Sequence, residues 1–216
     1  MYSAIFFDLD GTLTDPGEGI TNSVAYALQR FGIVESDRTK LFPFIGPPLI
    51  DSFERFYHFS PEQARQAVIY YREYYRQKGI FENKVYDGIP VLLDALRQAD
   101  IPLILATAKP EPFARQILEH YGLAAYFTVI AGSTLDETRT RKDEVLRYAL
   151  QQCPPHFAQK AVMVGDREHD VLGAAAVSMP CIGVLFGYGS EQELRRAGAV
   201  RLAATVQQLH QVLLEA

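Results

Sequence analysis

The sequence predicts an α/β fold in which a parallel β-sheet lies between two layers of helices, with a helical segment inserted after the first strand. Three observations predict this fold. Several short apolar runs rich in branched residues each end in a small or acidic residue. Amphipathic stretches, with apolar residues three to four positions apart, separate most of these runs. One long region between the first and second runs contains no strand-like run, so the alternation of strand and helix is interrupted there.

The apolar runs have the length of strands, and their composition is typical of strands that are buried on both faces of a parallel sheet. They lie at residues 4–7, 102–106, 128–131, 161–164 and 181–186. The separating helices are predicted at residues 89–99, 113–121 and 144–151. Gly122 follows the second of these helices, where a glycine commonly ends a helix.

The interrupting region is predicted to be helical. Residues 20–31 are amphipathic, and Ser60 with Gln63 forms a capping-box pattern that opens a second helix, with Pro61 in its first turn. This second helix carries four tyrosines, whose spacing is more typical of a packing stripe than of a surface that stacks on a base.

The domain organisation follows from this insertion. The predicted hinges are residues 15–18, where glycine and proline occur within or beside the stretch, and residues 81–86. We therefore expect a catalytic core formed by residues 1–15 and 84–216, and an inserted helical cap formed by residues 16–83.

Composition and charge exclude several classes of protein. The 216 residues carry a formal net charge of −5 with no basic run, which argues against nucleic acid as a partner. No apolar run approaches the roughly 18 residues of a membrane span, and no basic stretch precedes the first strand as in a signal peptide. Cys153 and Cys181 form no CxxC pair, which indicates a reducing compartment. We expect a cytoplasmic monomer or homodimer with no membrane partner.

Charged and polar side chains follow several predicted strands at the point where each strand ends. Ligands of open parallel sheets bind at these carboxyl ends. Carboxylates gathered at one edge repel one another, and a divalent cation relieves the repulsion. Oxygen ligands suit Mg²⁺, which keeps several waters and binds substrate phosphate, while a lysine and a threonine suit the remaining phosphate oxygens. The candidate site residues are Asp8, Asp10, Thr107, Lys142, Asp166 and Asp170.

Four motifs in this order resemble the haloacid dehalogenase superfamily of phosphohydrolases over essentially the whole chain. They are residues 8–14 (DLDGTLT), Thr107 after 103–106 (LILA), Lys142, and residues 165–170 (GDREHD). Residues 17–20, 44–49 and 187–190 are similar to the phosphoglycolate phosphatase-like and 5′-nucleotidase-like branch, which has a small helical cap. The resemblance implies a three-layer Rossmann-like core with the cap inserted after the first motif.

The resemblance also implies a mechanism. Asp8 is the expected nucleophile, which forms an aspartyl phosphate. Asp10 is the expected acid and base, which protonates the leaving alcohol and then activates water. Mg²⁺ is expected on Asp8, on the main-chain carbonyl of Asp10, and on Asp166. The implied substrate is a small phosphorylated metabolite, either phosphoglycolate or a nucleoside 5′-monophosphate.

The remaining residues have supporting roles in this prediction. Thr107 and Lys142 are expected to hold the phosphoryl oxygens, and Asp170 to fix Lys142 or a metal-bound water. Gly46 and Pro47 form a rigid loop in the insertion that we expect to face the substrate.

The sequence leaves the roles of two basic residues open. Arg141 competes with Lys142 for the third motif, and we favour Lys142 because it precedes the start of a predicted helix and matches the family pattern. Lys109 lies two residues after Thr107, and the sequence does not decide whether it reaches the substrate or is exposed to solvent.

Four other functions compete with this prediction. A dehalogenase of the same fold needs no metal, and Asp10 and Thr12 argue against it. A phosphomutase shares the four motifs and stays an alternative. A phospho-receiver domain carries its acidic pair before the phosphorylated aspartate, whereas Asp166 and Asp170 follow Lys142 here. A non-catalytic phospho-ligand-binding protein is disfavoured because the charged residues of all the motifs are present.

Overall fold

A computed structural model describes residues 2–136 and 138–215. The strands are β1 (Ala4–Phe7), β2 (Thr14–Asp15), β3 (Lys84–Val85), β4 (Leu103–Pro110), β5 (Phe127–Ser133), β6 (Ala161–Gly165), β7 (Cys181–Val184) and β8 (Arg201–Ala203). The helices are α1 (Gly17–Arg30), α2 (Leu49–Tyr57), α3 (Pro61–Tyr74), α4 (Ile89–Gln98), α5 (Glu111–His120), α6 (Lys142–Gln151), α7 (Glu168–Ala175), α8 (Glu191–Ala197) and α9 (Val206–Leu214). A 3₁₀ segment at Arg38–Phe44 precedes α2, and a π-helical turn at Tyr75–Gly79 follows α3.

The main sheet has six parallel strands in the order β5-β4-β1-β6-β7-β8. β1 lies between β4 and β6, so that Phe7 pairs with Leu105 on one side and with Val164 on the other. The chain builds one half of the sheet with β4 and β5 and then returns to build the other half. The carboxyl ends of β4, β1 and β6 therefore meet at one edge.

Both faces of the sheet are covered. All four residues of β1 have no exposed surface, although alternate side chains of a strand point to opposite faces. Ala4 and Phe6 share a buried cluster with apolar residues of α6 and α7. This arrangement confirms the predicted α/β fold with a Rossmann-like parallel sheet.

Several elements differ from the sequence prediction in extent. β4 continues to Pro110, past the predicted end at residue 106, because after an irregular step in the register Pro110 pairs with Ser133. β7 ends at Val184, before the predicted residue 186. The sequence prediction also lacks several elements, among them α7, which is short and contains a glycine, and β8, a three-residue edge strand with an exposed arginine.

The chain divides into two compact units, one formed by Met1–Thr14 with Val85–Ala216 and the other by Asp15–Lys84. The second unit is one residue longer at each end than the predicted insertion. Its first helix, α1, begins at Gly17, before the predicted residue 20. That this unit acts as a cap stays a prediction.

Two features of the second unit agree with the sequence prediction, a capping box at α3 and a pair of buried tyrosines. The predicted capping box is present at α3, where the Ser60 hydroxyl accepts a hydrogen bond from the Gln63 N–H and the Gln63 side chain accepts one from the Ser60 N–H. Tyr71 and Tyr75 are buried and stack, with ring centroids 5.4 Å apart. These two tyrosines therefore belong to the core of the unit, as the spacing favoured.

None of the helices in the described part of the chain is long and apolar enough to span a bilayer. The cytoplasmic location and the monomeric or homodimeric state stay predictions from the sequence.

Candidate active site

Asp8 is the first residue after β1, and its backbone N–H donates to the carbonyl of Val164 on β6 at 2.9 Å. The chain then turns back at once, because the carbonyl of Leu9 accepts the N–H groups of Leu13 and Thr14 at 2.9 and 3.0 Å. This tight turn keeps Asp10 at the same edge, and both aspartates are buried.

Lys142, the first residue of α6, connects three parts of this edge. Its Nζ donates to the main-chain carbonyl of Ala106 at 2.9 Å and lies 2.8 Å from Asp8 Oδ1 and 2.7 Å from Asp170 Oδ1. The ammonium thus lies against three oxygens, one of a main-chain carbonyl and two of carboxylates. Burial by itself would lower the pKa of Lys142, but the two carboxylates outweigh it and raise that pKa. Lys142 therefore stays charged.

Asp170 lies on the first turn of α7 and is buried. Its Oδ2 accepts the N–H of Arg167 at 3.1 Å, so this aspartate caps its own helix while its other oxygen holds Lys142. Of the two roles predicted for Asp170, the geometry places it in contact with Lys142.

Asp166 follows β6 directly and has no exposed surface. Its Oδ2 accepts the backbone N–H of Tyr188, which follows β7, at 2.7 Å. Burial raises the pKa of the Asp166 carboxyl well above its usual range, and the nearby carboxylates of Asp170 and Asp8 raise it further. A cation at this position would relieve that repulsion.

A group of three carboxylates fits a divalent cation. One oxygen each of Asp8, Asp166 and Asp170 lies within 4.8 Å of the others, and all three residues are buried. Lys142 brings one positive charge against these three carboxylates. A buried donor set made of oxygen with excess negative charge suits Mg²⁺. The predicted ligands Asp8 and Asp166 belong to this group, and a further ligand from the main-chain carbonyl of Asp10 stays a prediction.

The Asp10 carboxylate has a different partner. Its Oδ2 lies 2.6 Å from Nζ of Lys109. Burial raises the pKa of Asp10 above its ordinary value, and Lys109 offsets this only in part. Lys109 is therefore a buried ion-pair partner and not a solvent-exposed lysine. Thr107, on the same strand, is also buried at this edge.

Three other residues named from the sequence are not part of this group of charges as the first unit forms it. Arg141 is exposed and pairs with Asp143 at 3.1 Å, which leaves Lys142 as the lysine that meets Asp8. Gly46 and Pro47 lie in the second unit, between the 3₁₀ segment and α2. Their contact with a substrate stays a prediction.

Four glycines leave the space that the charged side chains occupy, and a Cβ at any of them would collide with a charged residue. The pairs are Gly11 with Asp166, Gly187 with Asp166, Gly165 with Asp170, and Gly173 with Lys142. Gly11 also has a φ of 77°, a left-handed conformation that favours glycine. The sequence could identify the first three of these glycines, because each lies beside a motif residue or the end of a strand. Nothing in the sequence marks Gly173.

A family model described as haloacid dehalogenase-like hydrolase matches residues 5–184. The chain belongs to this family. The resemblance inferred from the four motifs is therefore confirmed.

Individual relatives match this chain along nearly its whole length. A 5′-nucleotidase of Pseudomonas aeruginosa is 49% identical over 212 residues, which are 98% of this chain and 96% of the relative. Tyrosine-protein kinase PtkA of Mycobacterium tuberculosis is 39% identical over 211 residues, which are 97% of this chain and 72% of the relative. A crystal structure described as a predicted phosphatase from Clostridium acetobutylicum has a TM-score of 0.96 and 48% identity, with 100% of both chains covered.

The burial of Lys142 leads to a prediction about stability. Replacing Lys142 by methionine keeps the aliphatic stem and removes the charge that pairs with Asp8 and Asp170. Removing one partner of a buried ion pair costs about 3–5 kcal/mol, so we expect the free energy of unfolding in urea to fall by about that amount.

The matched control is Arg141→Met, because the adjacent Arg141 side chain is 70% exposed. We expect this variant to stay within about 0.5 kcal/mol of the unmodified protein. Equal losses in the two variants would contradict the role of Lys142 in neutralising the buried carboxylates.

Proposed function

We propose that this chain is a Mg²⁺-dependent phosphatase that hydrolyses small phosphate monoesters through an aspartyl-phosphate intermediate. The observation that carries the proposal is Asp8. It is buried at the carboxyl end of the strand between β4 and β6, 2.8 Å from Lys142 and beside two further carboxylates, in a chain of the hydrolase family. A nucleophile held in a dry, preorganised charged site is suited to an intrinsically slow displacement at phosphorus.

The proposed reaction has two displacements at phosphorus. In the first, an oxygen of Asp8 forms a bond to phosphorus while the bond to the leaving alcohol oxygen breaks, and Asp10 gives that oxygen a proton. In the second, water attacks the aspartyl phosphate while Asp10 takes up a proton from that water. The bond between Asp8 and phosphorus then breaks, which releases inorganic phosphate and restores both aspartates.

Three further residues support the negative charge that develops on the phosphoryl oxygens. Lys142 places its ammonium beside Asp8, and Asp170 holds that ammonium in position. Thr107 is buried on β4, next to β1, and its hydroxyl has a proton to donate to a phosphoryl oxygen. Thr107 supplies a hydrogen-bond donor and Lys142 a positive charge to the transferring group, without any movement of the sheet.

The metal site is proposed on the same edge. The carboxylates of Asp8 and Asp166, with the main-chain carbonyl of Asp10, would hold Mg²⁺. When bound, the ion neutralises phosphate charge next to the carboxylates and stabilises the transferring group. The negative excess of the three-carboxylate group supports this proposal.

For the substrate, we place nucleoside 5′-monophosphates first and phosphoglycolate second. The support is the 49% identity with a 5′-nucleotidase over nearly the whole of both chains. Gly46 and Pro47 are the proposed substrate contacts in the second unit. A phosphomutase, or a binding protein for phosphorylated ligands, is the alternative to be tested, because family membership does not fix the reaction.

A panel of phosphate esters tests the proposed function. Nucleoside 5′-monophosphates, 2-phosphoglycolate, sugar phosphates and an aryl phosphate are compared by kcat/KM for phosphate release with Mg²⁺. We expect the best nucleotide to exceed 2-phosphoglycolate by about tenfold, or about 1.4 kcal/mol of transition-state binding.

The control for this panel is Asp8→Asn, a near-isosteric change that we expect to abolish release. Release by Asp8→Asn at the unmodified rate would contradict the assignment of the nucleophile. Isomerisation of a sugar phosphate without release of phosphate would favour the phosphomutase instead.

Metal dependence can be measured through thermal stability as well as through turnover. We expect a chelator to remove activity and added Mg²⁺ to restore it. We also expect Mg²⁺ to raise the Tm by several degrees, since saturation at about 100 times Kd contributes about 2.7 kcal/mol. The Mg²⁺-induced shift should vanish in Asp166→Asn. An equal shift in that variant would contradict Asp166 as a ligand.

A further inference from the structure

Lys109 is buried beside the proposed acid and base. Its side chain is 5% exposed, and its Nζ lies 2.6 Å from Oδ2 of Asp10, whose side chain is 10% exposed. Burying a lysine is costly unless its charge is paired, so the contact with Asp10 accounts for its position. The mechanism above gives no task to this lysine.

The extension of β4 explains how Lys109 reaches this edge. Thr107 and Lys109 are two residues apart on β4, in the stretch where its pairing with β5 is irregular. Both are buried, whereas Ala108 between them is half-buried. The Thr107 hydroxyl also accepts the backbone N–H of Lys109 at 3.2 Å. One strand end thus presents a hydroxyl and an ammonium to the same site.

The two oxygens of Asp10 have different surroundings. Oδ2 is held by Lys109, while Oδ1 is buried and has no hydrogen-bond partner within residues 2–136 and 138–215. A buried carboxylate oxygen without a partner is costly and calls for an explanation. The explanation that we give is a functional one. Oδ1 carries the transferred proton and contacts the leaving oxygen of the substrate when the substrate is bound.

We propose that Lys109 is a positioning residue that anchors Asp10 through Oδ2 and so reserves Oδ1 for proton transfer. This inference rests on the proposed function. As the bond from phosphorus to the leaving oxygen breaks, the proton moves from Asp10 Oδ1 to that oxygen. Lys109 keeps all of its own protons. Without Lys109 the carboxyl group can rotate, and the proton is no longer aimed at the leaving oxygen.

This role has a kinetic signature that a merely structural role lacks. An alkyl alcohol leaves as a strongly basic oxygen and needs the proton, whereas an acidic phenol leaves readily without it. The ratio kcat/KM reports the steps up to formation of the phosphoenzyme, where the leaving group departs. Loss of Lys109 should therefore affect alkyl esters far more than activated aryl esters.

The first experiment uses Lys109→Met, which keeps the aliphatic stem. The alkyl ester that the unmodified protein cleaves fastest is compared with dinitrophenyl phosphate. We expect kcat/KM to fall about 100-fold or more for the alkyl ester, the usual contribution of a general acid, and less than about tenfold for the aryl ester. The matched control is Lys160→Met, an exposed lysine in the same unit, which should change neither value.

A second experiment tests the inference even if the Lys109→Met variant fails to fold. In Asp10→Asn/Lys109→Met both charges are gone, so no buried charge is left unpaired. If Lys109 acts through Asp10, the double variant and Asp10→Asn should cleave dinitrophenyl phosphate within about twofold of each other.

Two results would overturn the inference. Equal loss for both esters in Lys109→Met, or a further loss of tenfold or more in the double variant, would show that Lys109 contacts the phosphoryl group itself. Failure of the unmodified protein to cleave either ester is a separate result, which overturns the proposed function and this inference with it.

Discussion

Three aspartate carboxylates and a lysine ammonium are buried together at the carboxyl edge of the sheet, and the surrounding chain is arranged to hold them there. Lys142 is fixed by Asp8, by Asp170 and by the carbonyl of Ala106, which come from three different elements. Because each contact neutralises or solvates a charge that water does not reach, the position of any one element depends on the others. Close approach is possible because Gly173 leaves room for the Lys142 stem.

At the same edge, two aspartates that are only two residues apart in the chain pair with different lysines. Asp8 pairs with Lys142 at 2.8 Å, and Asp10 pairs with Lys109 at 2.6 Å. Burial raises the pKa of Asp10 in spite of its lysine. Different partners give neighbouring carboxylates different chemistry, as the proposed roles of nucleophile and proton donor require.

The sequence was sufficient for the elements whose signal is local. The buried strands follow from apolar runs that stop before Asp8, Thr107 and Gly165. The burial of Lys109 could not be predicted, because it depends on β4 continuing past an irregular step to pair Pro110 with Ser133. Likewise, the backbone N–H of Tyr188 that binds Asp166 is a contact between distant strand ends, to which no side-chain pattern corresponds.

Covalent phosphorylation of Asp8 during turnover is the step on which the proposed chemistry depends. The most direct measurement is acid quenching of the reaction at short times, followed by mass spectrometry of the peptide that contains Asp8. We expect one phosphoryl group on Asp8 in the unmodified protein and none in Asp8→Asn. Steady release of phosphate with no phosphoryl group on Asp8 at any quench time would contradict a nucleophilic role for this residue.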